Sequence, residues 1–125
     1  RGDFKTAYKL LLPFAEQGNA EAQFLVGQIH NEGLVFAQDY KEAVKWYRLS
    51  AEQGIASAQH NLGTRYYKGQ GVPQDYVLAH MWWNLSGSNG LKDAVTNRNI
   101  VEKKMSKQQI EKAQELARNW KPTTK

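Results

Sequence analysis

The chain has 125 residues, no cysteine and a formal net charge of +5. This length suits one domain, and the lack of cysteine excludes disulfides and thiolate metal sites. No apolar run approaches the roughly 18 residues of a membrane span. Residues 91–125 carry the whole charge excess, with 9 Lys/Arg against 4 Asp/Glu, whereas residues 1–90 hold 8 of each. The first residue is Arg1 rather than Met, which is compatible with a signal peptide removed before it.

An internal repeat organises the sequence. The tetrapeptide Ala-Glu-Gln-Gly at 15–18 returns unchanged at 51–54, and residues 15–50 align with 51–86 without a gap. Of these 36 aligned pairs, 16 are identical. The same step of 36 joins Asp3 to Asp39 and Asp75, so the chain opens with the second half of an earlier repeat. A fixed period of roughly 20–50 residues is typical of solenoids and related arrays.

Seven helices are predicted in chain order. Five polar residues suit their N-caps: Asp3, Asn19, Asp39, Asp75 and Ser106. Two of these caps have a partner for a capping box, Glu42 for Asp39 and Gln109 for Ser106. The predicted helices cover 3–17, 19–31, 39–53, 57–68, 75–86 and 91–104, with a last helix between Ser106 and Pro122. We therefore predict an all-α solenoid of helix-turn-helix repeats that forms a single domain.

The repeat also predicts how this domain divides. Residues 1–18 form the second helix of a partial repeat, 19–54 and 55–90 are full repeats, and 91–121 form a degenerate C-terminal capping pair. Small residues recur inside the first helix of each repeat, at Ala22 and Ala58 and at Gly27 and Gly63. Because glycine within a helix costs about 1 kcal/mol, its recurrence indicates close helix packing.

Large aromatic residues that keep the period are predicted to be core: Tyr40, Trp46, Tyr76 and Trp82. The loops after the first helices are less alike. Val35 stands where the second repeat has Gly71, and a β-branched residue disfavours positive φ. We therefore expect the loop at 33–38 to differ in shape from the loop at 69–74.

Residues 51–82 resemble the Sel1-like repeat, a relative of the tetratricopeptide repeat. The resemblance rests on the tetrapeptide at 51–54, on Ala58-Gln59, on Leu62-Gly63 with Tyr66, on the loop at 69–76, and on Ala79 and Trp82. Residues 15–50 match with His30 in place of Tyr66 and with the loop differences, and 104–117 resemble the segment that often ends bacterial members. The resemblance implies an α/α superhelix whose first helices line the inner face. It also implies scaffold or adaptor work between proteins, often in the bacterial envelope, and so favours the periplasm or secretion over the cytoplasm.

No catalytic, metal or cofactor residue is predicted, and the chain is interpreted as a non-enzyme. Some similar proteins are linked to β-lactam binding or hydrolysis, but no serine here is followed by lysine three positions later, as a serine acylation motif requires. The three histidines, His30, His60 and His80, show no pair at helical i, i+4 spacing, so one helix cannot supply a two-histidine metal site.

Helix phase and the resemblance together predict where a partner binds. The buried positions of the first helices are Ala22, Val26 and Ile29, and Ala58, Leu62 and Tyr66. The side left for a concave groove then consists of Gln23, Phe24, Gln28, Asn31, Gln59, His60, Thr64, Tyr67 and Lys68. Amides can hydrogen-bond the backbone of an extended peptide, while Phe24 or Tyr67 can anchor a side chain.

Two alternatives stay open at this point. One is a binder of small ligands or cell-wall fragments of β-lactam type, with marginal hydrolase activity. The other is electrostatic binding of an anionic partner by the basic C-terminal helices, through Lys103, Lys104 and Lys107. The favoured partner is a protein or peptide of unknown identity, without nucleic acid or a membrane span, and the chain is expected to be a monomer or a weak homodimer.

Overall fold

The computed structural model describes residues 3–123 and contains seven α-helices in this range. Their bounds are α1 Phe4–Glu16, α2 Ala20–Glu32, α3 Tyr40–Ala51, α4 Ala56–Lys68, α5 Tyr76–Ser88, α6 Lys92–Glu102 and α7 Lys107–Asn119. Since residues 3–123 contain no strand, the predicted all-α fold is confirmed. Among these helices, none has both the length and the apolar character that a bilayer span requires.

Consecutive helices pack against each other from α1 to α6, which gives a stack of antiparallel neighbours. Helix α7 departs from this order, because it packs on α5. The main core lies between α3 and α6, and a smaller cluster around Trp46 joins α1 to α2 and α3. Both recurring tryptophans are buried as predicted, whereas Tyr40 and Tyr76 are half-buried.

The predicted caps form at all five positions, each through a side-chain oxygen that accepts a backbone N–H of the first turn. Ser106 and Gln109 complete a reciprocal capping box. The box predicted at Asp39 is only half formed, because the Asp39 backbone N–H donates to the His30 carbonyl at 2.9 Å. The Glu42 carboxylate accepts from the Trp46 indole N–H at 3.2 Å instead.

Close helix packing occurs where the recurring glycines predict it. A Cβ at Gly27 would lie 2.8 Å from Cδ1 of Tyr47, and a Cβ at Gly63 would lie 2.7 Å from Cδ1 of Trp83. Both aromatic rings are buried and come from the second helix of the same repeat. The absence of a side chain thus lets each repeat close its helix pair around one large ring.

The two inter-helix loops share a hydrogen-bonded frame but differ at the predicted position. In both, the amide of a capping aspartate donates to the carbonyl of residue 30 or 66 at 2.9 Å. Gly71 has φ +80°, whereas no residue other than glycine among those described has positive φ, so Val35 turns differently. A Cβ at Gly71 would overlap the Tyr40 carbonyl, which means that this loop packs directly on α3.

Candidate functional site

A groove opens between α4 and α6, with α5 beneath it. Its cavity has a volume of about 430 Å³. The lining comes from three helices: His60, Thr64, Tyr67 and Lys68 of α4, Trp83 of α5, and Asn97 and Ile100 of α6. This composition places an apolar surface beside several polar groups, which is typical of sites that recognise a peptide side chain and its backbone.

The floor of the groove is a fixed aromatic stack. The ring centroids of Tyr67 and Trp83 lie 5.5 Å apart, and Tyr67 also stacks on Tyr76 at 5.5 Å. The Trp83 indole N–H donates to the His60 carbonyl at 3.1 Å. Because Trp83 is almost fully buried, its ring is held in place before any partner arrives.

Neutral polar groups and one cation form the rim. His60 Nδ1 lies 3.2 Å from the Asn61 amide oxygen, and its Nε2 lies 3.2 Å from the Asn97 amide nitrogen. A neutral ring with the proton on Nδ1 satisfies both contacts. Lys68 is exposed and forms no ion pair with residues 3–123, and no acidic side chain lines the cavity.

Other predicted binding residues connect neighbouring repeats. The Gln28 amide oxygen accepts from the Tyr47 hydroxyl and from the Asn61 amide at 2.9 Å. Burial raises the pKa of Tyr47 far above its usual range, so this hydroxyl remains a donor. The Asn31 amide oxygen accepts from the Arg65 guanidinium at 2.7 Å. Gln28 and Asn31 are half-buried, and their hydrogen bonds connect α2 to α3 and α4.

Two of the predicted groove residues are buried. Gln23 and Gln59 are 4% and 0% exposed, and each donates its amide N–H to a carbonyl eight residues earlier, Ala15 or Ala51, at 3.1 Å. Their assignment to the exposed side of the first helices is therefore wrong. An amide that reaches back to the end of the preceding helix satisfies a terminal carbonyl, and this favours its burial.

We expect Gln59→Met to lower the free energy of unfolding by about 1–2 kcal/mol. Methionine keeps most of the volume but leaves the amide contacts to Ala51 and Asn89 unmade. Urea denaturation followed by far-UV circular dichroism measures the loss. Gln17→Met is the matched control because Gln17 is exposed, and its stability should change by less than about 0.5 kcal/mol. Equal effects of the two substitutions would show that the buried bonds contribute nothing.

The structure therefore brings four of the nine predicted residues into one cavity, namely His60, Thr64, Tyr67 and Lys68. Phe24 is half-buried against Tyr47, with ring centroids 6.0 Å apart, so neither Phe24 nor Tyr67 belongs to the buried core. Sequence reasoning missed three lining residues, Trp83, Asn97 and Ile100. Continuing the 36-residue step beyond Gly90 would have found one of them, because Ile100 follows the predicted residue Thr64 at that interval.

Residues 3–123 contain no group of three or more His, Cys, Asp or Glu that could hold a metal ion. Helix pairs stacked in series define an α-helical repeat protein. A family model described as Sel1 repeat matches residues 1–19, 20–55 and 56–91, so the chain belongs to the Sel1 repeat family. Members of this family are generally non-catalytic protein-interaction scaffolds and typically bind protein partners.

Solved structures agree with this assignment. The crystal structure of a protective antigen of uropathogenic Escherichia coli with an SLR fold is 36% identical, with a TM-score of 0.89 over 94% of this chain. A Sel1 repeat protein from Oxalobacter formigenes is 34% identical, with a TM-score of 0.73 over 76% of this chain. The chain spans 25% and 39% of the lengths of these two proteins. No curated protein matches the chain.

Proposed function

We propose that this chain is a non-catalytic adaptor that binds an extended segment of a partner protein in the groove between α4 and α6. The cavity of about 430 Å³ lined by both helices carries this proposal. An apolar side chain of the partner would lie on Tyr67 and Ile100, above the Trp83 ring. The amide of Asn97 and the hydroxyl of Thr64 would face the partner's backbone.

The charge of the groove favours a partner segment that has an acidic residue beside its apolar anchor. Lys68 is the cation on the cavity lining, no carboxylate opposes it there, and the net charge of residues 91–125 is also positive. Complementary charge raises the association rate and selects among partners more than it raises affinity. The alternative site at Lys103, Lys104 and Lys107 is separate, because none of these lysines lines the cavity.

The experiment selects peptides from a library of random extended heptapeptides and measures the affinity of the enriched sequences. We expect enriched peptides to share one large apolar residue close to Asp or Glu. Ile100→Glu should weaken their binding at least tenfold, because it removes an apolar contact of the anchor and adds a carboxylate that repels the acidic residue. Lys68→Ala should weaken binding about three- to tenfold and reduce its salt dependence.

Leu49→Glu is the matched control. Leu49 is exposed to a similar degree as Ile100, 41% against 47%, but lies on α3 away from this cavity. Its affinity for the selected peptides should equal that of the unchanged chain. If Leu49→Glu and Ile100→Glu weaken binding equally, or if the library yields no enriched sequence, the groove between α4 and α6 is not the site.

A further inference from the structure

The 36-residue repeat places equivalent residues at the ends of successive second helices. The first groove is a cavity between α1 and α3, and we call the corresponding surface between α3 and α5 the second groove. The same tetrapeptide, at 15–18 and at 51–54, forms one wall of each groove. Trp46 and Leu49 on the other wall of the first groove correspond to Trp82 and Leu85 in the second. These two surfaces therefore share their apolar and backbone groups, whereas Ser88 stands in the second at the position of Glu52 in the first.

The C-terminal tail of the chain packs on the second groove. Trp120 meets Trp82 edge-on, with ring centroids 6.2 Å apart and an interplanar angle of 73°. Three residues later, the backbone N–H of Thr123 donates to the Glu52 carbonyl at 2.6 Å. The tail thus combines one aromatic contact with one main-chain hydrogen bond to the tetrapeptide.

The first groove offers the same two features to an outside molecule. It is a cavity of about 450 Å³ that Thr123 of the tail borders beside Glu52, and Leu49 on its wall is 41% exposed. Glu16 occupies the position of Glu52, and its carbonyl accepts no hydrogen bond from any residue between 3 and 123. Glu16 and Glu52 both line the cavity, and no lysine or arginine does. An apolar floor, a free acceptor and two carboxylates therefore occur together.

We propose that the groove between α1 and α3 binds an extended, basic, aromatic segment of another protein, in the way the tail binds the second groove. The aromatic ring would pack edge-on near Trp46 and Leu49. A backbone N–H three residues further on would donate to the Glu16 carbonyl. A lysine or arginine between them would be attracted by the carboxylates of Glu16 and Glu52, as Lys121 follows Trp120 in the tail.

This surface is distinct from the groove between α4 and α6, since the two cavities share no lining residue. Their charges are also opposite, with glutamates on the first and Lys68 on the other. One repeat array would thereby bring a basic and an acidic segment together on two separate faces, which is what a scaffold does.

The test uses a fluorescein-labelled hexapeptide with the sequence of residues 118–123, Arg-Asn-Trp-Lys-Pro-Thr, and measures its anisotropy with the whole chain. We expect saturable binding that weakens at least tenfold when the peptide's tryptophan is replaced by alanine. Leu49→Lys should also weaken binding at least tenfold, because it places a cation against a basic peptide. Ile100→Lys is the matched control, because Ile100 lies on the groove between α4 and α6. This substitution should leave the affinity for the hexapeptide unchanged.

A second measurement locates the peptide without relying on a variant. A nitroxide on its N-terminus should broaden the backbone amide signals of Gln17 and Gly18, directly after α1, before those of α5. Broadening confined to α5 and α7 would mean that the peptide displaces the chain's own tail, and this result would overturn the proposal. Absence of saturable binding up to millimolar peptide, or equal binding by Leu49→Lys, would overturn it as well.

Discussion

Replacing Trp83 with alanine is expected to lower the free energy of unfolding by about 3–5 kcal/mol, the largest effect of any single change considered. Trp83 is 3% exposed, and its ring lies against Gly63 and Tyr67. Truncation would leave a cavity at the centre of the second repeat, and the His60 carbonyl would lose its indole donor. Urea denaturation followed by far-UV circular dichroism gives the free energy of unfolding without depending on tryptophan fluorescence.

Trp83→Phe separates the stability that comes from packing of the ring from the stability that comes from its hydrogen bond. Phenylalanine keeps most of the apolar contact with Gly63 but cannot donate to His60, so the expected loss is about 1–2 kcal/mol. Trp83→Ala should also weaken the binding of the selected peptides to the groove between α4 and α6, because Trp83 forms the floor of this groove. If alanine and phenylalanine destabilise the chain equally, the packing of the ring contributes little and the close approach at Gly63 has another cause.

Gly71→Ala is expected to cost about 2–4 kcal/mol, which is large for the addition of one methyl group in a loop. Two effects add. A non-glycine residue at φ +80° carries roughly 1–2 kcal/mol of backbone strain. The new Cβ would also overlap the Tyr40 carbonyl, and backbone at the start of α3 cannot yield as a side-chain end can. Thermal and urea unfolding of the variant measure the sum.

Gly90→Ala is the control that isolates the strain. Gly90 has φ +102°, yet a Cβ there would meet nothing within 4 Å. Its cost should be about 1–2 kcal/mol from backbone strain alone. Equal losses for Gly71→Ala and Gly90→Ala would show that the loop at 69–74 moves away from α3 without cost, and that its contact with Tyr40 does not fix the stacking of repeats.

The groove between α4 and α6 could be predicted from the sequence only in part. The side of α4 that carries His60, Thr64, Tyr67 and Lys68 follows from helix phase, and these four residues do line one cavity. Helix phase failed for Gln23 and Gln59 because a glutamine side chain can leave the polar side of a helix when a buried carbonyl offers it a bond. Whether the groove binds a partner stays a prediction that the peptide selection tests.

The sequence by itself determined the all-α repeat fold, the caps at Asp3, Asn19, Asp39, Asp75 and Ser106, and the close packing at Gly27 and Gly63. All of these depend on local backbone preferences or on the 36-residue period, which a single sequence displays directly. Only the tertiary structure decided that α7 folds onto α5 and that its tail packs on the second groove. Such contacts join residues far apart in the chain, and outside the repeat no period marks which surfaces will meet.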